Sequence, residues 1–412
     1  MMLIISLIIL ILLVCVNFFT TKNILHPSVV YVGIWLIQLI GLLLFQDRFI
    51  EPSVDALFIV VLGAVMFTIG SLPLSVGIDG RGHIMRPRRV RRDYIFFWIA
   101  AIVIAICLYG QYRIFIDLAI GEDFATGLIY ARTLMAIENE DIYGLYKYGS
   151  SLALAALLLL QILIIRNEAN RIHKILFGYF LLTALSMALL STGRGPIAFI
   201  LFLLAVVYVL KVGINWRVGG IFAGILSMTF IIFWIMGRAM GRTDDAAAGA
   251  VNDLISYIFS SIPALSVYLE QHPIHIIGGD WGSNTFRFFV ALMASIGFAD
   301  KPLNLVQEFA PVPHMTNLYT IYLQYIKDFG MVGVVVLSLF LGFLHGHLFR
   351  WAMTNKRNEF AFYILAISYL PLLQVVFQET HFSSMSSWIQ YFLIGFVMTK
   401  GYKNNLGKSN GQ

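Results

Sequence analysis

Charged residues are scarce in this sequence: Asp, Glu, Lys and Arg make up 12% of its 412 residues, whereas hydrophobic residues make up 59%. Soluble domains usually carry about 25% charged residues. The mean hydropathy is +0.83, and apolar runs of about 20 residues, the length that crosses the hydrocarbon core of a bilayer, occur repeatedly. This composition excludes a soluble fold.

Several sequence motifs of energy-driven and hydrolytic enzymes are also missing. There is no P-loop and no HExxH, GxSxG or CxxC arrangement, which argues against ATP-driven transport, zinc proteolysis and serine hydrolysis. The two cysteines, Cys15 and Cys107, lie in apolar runs and provide neither a disulfide framework nor a metal site. We expect no cofactor and no divalent metal, because the polar segments carry arginines where a metal site would show clustered acids and histidines.

The apolar runs are too long and too uniform for the alternating strands of a membrane barrel, so helices are expected. The first run has no basic leading segment and no small-residue cleavage pattern, and we expect it to remain as a helix. The sequence predicts an all-α polytopic membrane protein in which residues 1–412 form one integral membrane domain. About eleven transmembrane helices are predicted, at 2–19, 27–46, 54–76, 94–120, 148–165, 174–191, 196–211, 218–237, 329–349, 359–377 and 387–400.

The loop 77–93 is the most basic part of the sequence and sets the predicted topology. By the positive-inside rule it lies in the cytoplasm, and alternation then places 121–147, 238–328 and the N-terminus outside. Such charges orient the chain and contact anionic lipid. No aromatic platform accompanies them, so nucleic-acid binding is not expected. The arginines of this loop are Arg81, Arg86, Arg88, Arg89, Arg91 and Arg92.

The segment 238–328, between the eighth and ninth predicted helices, is the largest predicted extracytoplasmic piece. Within it, the stretch 251–269 has apolar residues at helical spacing. We expect an amphipathic helix there that lies flat on the outer leaflet or packs over a cavity. The apolar positions are Leu254, Ile255, Ile258, Ile262 and Leu265.

Arg194 is the sharpest functional candidate. It stands in Ser-Thr-Gly-Arg-Gly-Pro, which is predicted to be a tight turn between two apolar helices, with Pro196 at the first position of the second helix. Glycines allow the backbone to approach a ligand closely, and a guanidinium binds phosphate through two parallel hydrogen bonds. The alternative is a hairpin whose arginine extends to the lipid headgroups.

Three further arginines lie on the predicted outer side, where the positive-inside rule does not explain them. Arg238 and Arg242 follow the eighth helix four residues apart, and Arg287 comes later in the same segment. Together they suit a ligand with several negative charges, such as a diphosphate. The alternative is pairing with neighbouring acids, for which the sequence offers Asp244, Asp245 and Asp253.

The stretch 311–330 is too polar for a lipid-facing surface. If Thr316–Asp328 is helical, Thr316, Tyr319 and either Tyr322 or Gln324 face a common side, as hydrogen-bond donors and aromatic rings do in sugar sites. His314, two residues before Thr316, is a candidate base, although a histidine at a membrane interface is often only an anchor.

Glu379 and His381 are the other candidates for a general base. They stand in Gln-Glu-Thr-His at the predicted outer end of the tenth helix, where a solvated loop is the alternative interpretation. His345 and His347 are predicted near the cytoplasmic end of the ninth helix. They are therefore interpreted as interfacial residues on the wrong side for this site.

Three stretches carry a family resemblance: the turn at 191–196, the segment Tyr257–Tyr268, and the run Thr316–Gly333 that leads into a helix. They resemble O-antigen polymerases of the Wzy type, also called oligosaccharide repeat-unit polymerases. The hydropathy layout is similar over most of the chain, and the residue-level match covers about residues 185–345.

The resemblance implies a GT-C-like architecture in a bacterial inner membrane, with the active site on the periplasmic face. It implies an enzyme that transfers a growing glycan from undecaprenyl diphosphate to a lipid-linked oligosaccharide repeat unit, in O-antigen or capsule synthesis. The implied partners are these lipid-linked oligosaccharides, membrane lipids and a chain-length regulator. By this match, Arg194 is the turn arginine and His314, Asn317 and Tyr319 form the polar approach to the late helix, while Tyr257 begins the second matched stretch and is expected to bind substrate.

The implied chemistry requires stabilisation of the diphosphate leaving group, for which Arg194, Arg238 and Arg287 supply positive charge. A base then accepts the proton of the acceptor hydroxyl, and the candidates are Glu379, His381 and His314, in that order. The alternatives are an O-antigen ligase, a polyprenyl-phosphate-dependent glycosyltransferase and, from another class, a flippase or transporter of lipid-linked glycans. A transporter would require charged residues along a pathway through the middle of the helices.

Overall fold

The computed structural model describes residues 1–74, 95–119, 124–136, 142–192, 194–213, 216–239, 246–300, 307–312, 314–355 and 358–400. This part of the chain is mostly helical. Its helices are α1 (Met2–Thr21), α2 (Pro27–Leu44), α3 (Val54–Ser71), α4 (Ile95–Ala119), α5 (Phe124–Ala136), α6 (Tyr148–Ile165), α7 (Arg171–Leu190), α8 (Arg194–Val212), α9 (Trp216–Ala239), α10 (Ala246–Phe259), α11 (Ser261–Gln271), α12 (Arg287–Ser295), α13 (Tyr322–Thr354), α14 (Glu359–Gln374) and α15 (Met385–Lys400).

Eight of the described helices are long and apolar enough to cross a membrane: α1–α4, α6–α8 and α13. Three shorter apolar helices, within α9 and at α14 and α15, occupy the other predicted positions. The chain is therefore a polytopic helical membrane protein, as predicted. The count of eleven spans and the GT-C-like architecture stay predictions, as does the cytoplasmic loop 77–93, which lies outside the described residues.

Local signals in the sequence explain where several helices begin. Pro27 is the first residue of α2, and the His26 side chain accepts a hydrogen bond from the Ser28 backbone N–H. Ser53 caps α3 in the same way by accepting from the Ala56 N–H. Because such caps satisfy the free N–H groups of the first turn, these boundaries fall within a few residues of the predicted ones.

A short hairpin is the one departure from an all-α fold in the described part of the chain. Strands β1 (Ala310–Val312) and β2 (His314–Thr316) pair antiparallel, with Ala310 opposite Thr316. The expected helix over Thr316–Asp328 is therefore wrong at its start, because Thr316 belongs to β2 and α13 begins only at Tyr322.

Contacts divide the chain into two compact units, each of which is described separately; the single integral membrane domain stays a prediction. Unit 1 comprises Met1–Gly80, Asn252–Asn355 and Ser368–Ser386. Its core is built on α3 and α13, which run parallel. Gly342 lies against the backbone of Phe67, and Gly346 against the backbone of Ser71. Small residues let two helices approach this closely in a membrane, where packing drives association.

Unit 2 comprises Arg81–Val251, Lys356–Ile367 and Ser387–Gln412. At its centre is α6, whose residues 153–160 are all buried. Gln161 donates from Nε2 to the Leu204 carbonyl oxygen at 2.6 Å, and Arg166 forms an ion pair with Glu359 at 3.0 Å. These contacts connect α6 to α8 and to the start of α14.

The predicted amphipathic stretch 251–269 forms α10 and α11, and its second half is not on a surface. Ile262 and Leu265 of α11 are fully buried, and α11 packs against α3 and β1. Ser266 of α11 accepts at Oγ from the backbone N–H of Ser53, at the start of α3. The expectation of a helix flat on the leaflet is wrong for α11, which belongs to the core of unit 1.

Candidate functional site

Unit 1 contains two interruptions of helical structure. The first is Gly330, within α13, whose φ of 63° and ψ of −149° are open only to glycine without strain. The second is the non-helical segment 375–384 between α14 and α15. The Ile321 N–H, just before α13, donates to the Val375 carbonyl oxygen at 2.7 Å. Within a membrane, irregular backbone is tolerated where it is buried in protein or lines a cavity, so the buried segment 375–384 is the candidate site.

Glu379 organises the segment 375–384. Its side chain is 3% exposed. Its carboxylate accepts from the backbone N–H groups of His381 at 2.8 Å, Phe382 at 2.9 Å and Ser383 at 2.7 Å. Burial raises the pKa of Glu379 to about 7, although these hydrogen bonds act in the opposite direction. Because both oxygens are occupied, the first role of Glu379 is to hold the backbone of this segment.

His381 lies beside His345 of α13, with 3.2 Å between their Nε2 atoms. Two neutral imidazoles form such a bond when one ring donates and the other accepts. Burial, and then the neighbouring His345, hold the pKa of His381 well below its usual range. Neither Nδ1 atom has a hydrogen-bond partner among the described residues. The pair therefore keeps one free donor and one free acceptor.

This contact corrects two sequence-based interpretations. His345 is not interfacial but 1% exposed. Glu379 and His381 do not stand in a solvated outer loop, since the whole segment 379–382 is buried in unit 1. The predicted placement of His345 and His381 on opposite sides of the membrane is wrong, because the two rings touch. His347 is exposed, as an interfacial residue would be.

Aromatic side chains surround this segment. Phe382 contacts Tyr325 and Phe340 of α13, with ring centroids 6.4 and 6.1 Å apart, and Phe286 at 5.3 Å. The Tyr325 hydroxyl is buried and has no hydrogen-bond partner among the residues that the structure describes. Rings of this size exclude water and strengthen electrostatic interactions in the site.

Asp328 fixes the loop that precedes α12 against α13. Its fully buried carboxylate accepts from the Asn284 backbone N–H at 3.0 Å, Asn284 Nδ2 at 2.8 Å and the Thr285 N–H at 2.6 Å. The sequence analysis did not single out this residue. One signal could have identified Asp328: it stands directly before an apolar run, and Lys327 is the only neighbouring base with which it could pair.

The same loop satisfies the backbone groups that the break in α13 leaves free. The N–H groups of Met331 and Val332 donate to the carbonyl oxygens of His275 and Ile276, at 3.1 and 3.2 Å. Gly278 packs on this break, where an added Cβ would lie 2.6 Å from the Gly330 nitrogen. The loop 275–286 thus serves as the N-terminal cap of the second half of α13.

A second polar cluster lies where the segment 307–319 meets α11 and α13. The Tyr319 hydroxyl donates to the Glu308 carbonyl oxygen at 3.1 Å. Burial, followed by the charge of Glu308, raises the pKa of Tyr319 to about 12. Lys327 Nζ donates to Gln307 at 2.9 Å and lies 5.1 Å from the Tyr268 ring centroid. Tyr319 is therefore engaged in local structure and does not face Tyr322.

Three of the four predicted phosphate-binding arginines have side chains outside the described residues. Arg194 is the first residue of α8 rather than part of a turn, and Pro196 is therefore the third residue of that helix. Arg238 lies in the last turn of α9. The side chains of Arg194 and Arg238, and the whole of Arg242, are outside the described residues. Their shared phosphate site stays a prediction.

The remaining predicted residues lie in unit 1. Arg287 begins α12, is partly buried, and has no acidic partner in the described ranges; burial lowers its pKa. Asn317 is partly buried between β2 and α13. Tyr257 of α10 packs on Phe377 with ring centroids 5.1 Å apart, beside the segment 375–384. His314 lies in β2, and its side chain is outside the described part.

Thr316 and Tyr322 do not turn toward a common side. Thr316 Oγ1 accepts from Ser260 at 3.3 Å and from the Leu318 N–H at 3.2 Å. The Tyr322 hydroxyl points instead to Tyr31 of α2, at 2.9 Å.

Across the described residues, no group of three or more His, Cys, Asp or Glu side chains is placed to hold a metal ion. No family model, curated protein or solved structure matches this chain.

Proposed function

We propose that this membrane protein is a glycan polymerase that transfers a growing chain from undecaprenyl diphosphate to a lipid-linked oligosaccharide repeat unit, with its active site on the periplasmic face of a bacterial inner membrane. The observation that carries the proposal is the packing of the second interruption, the segment 375–384, against α13 inside unit 1. It places His381, His345 and Glu379 in a buried, aromatic-lined setting. A group transfer between lipid-linked substrates needs such a water-poor site, because water would compete as the acceptor.

In the proposed reaction, the bond between the donor C1 atom and the diphosphate oxygen breaks as C1 bonds to the acceptor oxygen. The acceptor hydroxyl proton passes to the base, and undecaprenyl diphosphate leaves. We assign the base to His381 rather than Glu379, since the Glu379 oxygens accept three backbone hydrogen bonds while an imidazole Nδ1 of the histidine pair is free. His345 precedes Gly346, which packs on Ser71 at the far end of α3, so the proposed active site opens at the periplasmic face and extends into the interior of unit 1. Arg194, Arg238 and Arg287 are the proposed cations for the leaving group.

The direct test uses purified protein in detergent with lipid-linked repeat units as the substrate. We expect polymer, and we expect it in excess chelator as well, because the proposed site uses arginines instead of a metal. His381→Gln should reduce the rate by about 10²–10⁴-fold. His347→Gln, an exposed histidine two residues from His345, should leave the rate unchanged and serves as the matched control.

The corresponding test in cells uses a strain that lacks the protein. A polymerase defect leaves single repeat units attached and abolishes the polymer ladder. A ligase defect removes attached glycan of every length. Retention of the ladder in the deletion strain would overturn the proposal.

A transporter of lipid-linked glycans is the second candidate, because a broken helix that packs beside buried ionisable residues is also typical of transporters. An assay in detergent distinguishes the two functions, because it contains no second compartment into which a glycan could be transported. Polymer made there by purified protein requires catalysis. Its absence, together with movement of lipid-linked glycan across a reconstituted bilayer, would favour the transporter.

A further inference from the structure

Helix α12 carries an apolar stripe that the described part of the protein leaves uncovered. Its members lie at positions i, i+3, i+4 and i+7, so they share one helical face. All are exposed, and exposed apolar residues also flank the helix on both sides. The stripe consists of Phe289, Leu292, Met293 and Ile296, and the flanking residues are Ile276, Ile277, Trp281 and Phe298.

Contacts with the break in α13 fix the position of this surface along the membrane-length helices. The carbonyl oxygens of His275 and Ile276 accept from the first N–H groups of the second half of α13, so the loop lies where that half begins. Because Gly342 and Gly346 pack on Phe67 and Ser71 in parallel register, this point is level with the start of α3. Both α3 and α13 are membrane-length helices. Ile276 and Ile277 are therefore level with the end of a membrane-length helix, where the boundary of the hydrocarbon is expected.

The charge pattern also fits a lipid surface. Between Arg287 and Asp300 the chain has no charged residue, so nothing on α12 opposes burial in acyl chains. Trp281, 78% exposed at the head of the segment, is the residue type that concentrates at membrane interfaces. Arg287 at the first position of α12 would then lie at the level of the headgroup phosphates.

We propose that residues 276–298 form an interfacial element, in which α12 lies in the plane of the membrane with its stripe in the acyl chains of the bilayer. Asp328 holds the element in place, because its carboxylate ties residues 284 and 285 to α13. The partner is the phospholipid bilayer. The proposal does not depend on the enzymatic activity.

Spin labels on the full-length protein in liposomes test this arrangement. Cys15 and Cys107 are first replaced by alanine, and single cysteines are placed at Leu292 and Met293 on the stripe. Ala291 is exposed on the opposite face of the same helix and is the matched control. We expect labels at 292 and 293 to collide with oxygen in the lipid at least fivefold more than with a water-soluble nickel complex, and the label at 291 to show the reverse preference.

Equal exposure of all three labels to the nickel complex would overturn the proposal, because α12 would then lie in water. Labels at 292 and 293 that reach neither reagent would also overturn it and would indicate a second copy of the chain on the stripe. Comparison with protein in detergent checks folding, since the label at 291 should keep the same mobility in both preparations.

Discussion

Helix α6 of unit 2 and helix α13 of unit 1 are both buried, apolar and long enough to cross a membrane, yet their backbones differ. Helix α6 is continuous, and residues 153–160 bury only Ala and Leu. Helix α13 breaks at Gly330 and buries Asp328 and His345. A continuous helix satisfies its own backbone groups, whereas a broken one requires partners from elsewhere in the chain. Those partners bring polar chemistry into the interior, which is why the candidate site lies in unit 1.

Replacing Gly330 is the strongest way to break this contrast. Alanine at this φ and ψ is strained, and its Cβ would collide with the His275 carbonyl oxygen and lie 2.8 Å from that of Ile276. We expect Gly330→Ala to cost roughly 3–6 kcal/mol, measured by thermal unfolding in detergent. Gly178→Ala in the continuous helix α7, where the added Cβ meets no atom within 4 Å, should be neutral or stabilise by up to about 1 kcal/mol. Equal stability of the two variants would mean that α13 is not broken.

The Asp328 carboxylate is the next feature to remove. Asp328→Ala leaves three buried N–H donors of Asn284 and Thr285 without an acceptor. We expect a loss of about 3–4 kcal/mol in unfolding free energy and rapid proteolysis within 275–286. Asp300 is exposed and lies after α12, outside the loop 275–286, so Asp300→Asn should change stability by less than about 0.5 kcal/mol. A protease-resistant loop in Asp328→Ala would show that the backbone contacts suffice.

Replacing Arg194 sharpens the comparison, because Arg194 belongs to unit 2 and the effect on turnover shows whether that unit takes part in the chemistry. If its guanidinium binds the lipid diphosphate, Arg194→Ala should reduce turnover by about a hundredfold, or about 3 kcal/mol. Arg194→Lys should also be impaired, since it keeps the charge but loses the two-pronged contact. Protein abundance is measured in parallel. Full-length polymer from Arg194→Ala at normal abundance would assign the arginine to the lipid headgroups.

The pH dependence of stability is the smallest expected effect. Glu379 has a pKa of about 7 in the folded protein and an ordinary value of 4.5, so the folded state binds the proton more tightly. Its contribution to stability is complete below about pH 4.5 and is lost as the pH rises through 7. Between pH 5 and 8 we expect the unfolding free energy to fall by roughly 2–3 kcal/mol more in the wild type than in Glu379→Gln. Glu308 is exposed, so Glu308→Gln is the control. The same dependence of the unfolding free energy on pH in the wild type and both variants would contradict this assignment.

The sequence predicted the spanning helices because hydropathy alone decides them: α1 and α6 fall almost residue for residue on the predicted runs. The ninth predicted helix begins at 329, beside the break at Gly330, but the sequence did not predict that residues 275 and 276 bond to the backbone there. It also could not pair His345 with His381, which are 36 residues apart. A polar residue between two apolar runs is typical of a solvated loop, and only tertiary packing turned Glu379 inward.

The two amphipathic stretches show the same limit. The sequence predicted that the stretch 251–269, which forms α10 and α11, lies flat on the outer leaflet or packs over a cavity, and no prediction was made for α12. The structure buries α11 against α3 and leaves the stripe of α12 exposed. Spacing identifies an apolar face but not what covers it, because that depends on neighbours far away in the chain.

The order of the chain has a consequence for how the protein is made. The break at Gly330 bonds to residues 275 and 276, which emerge from the ribosome earlier. The segment 375–384 likewise bonds to Ile321 and His345, again on its N-terminal side. Each interruption can therefore close on chain that already exists, and neither half-helix needs to wait in the membrane with unpaired backbone groups while later residues are synthesised. Assembly of the site can proceed in the direction of translation.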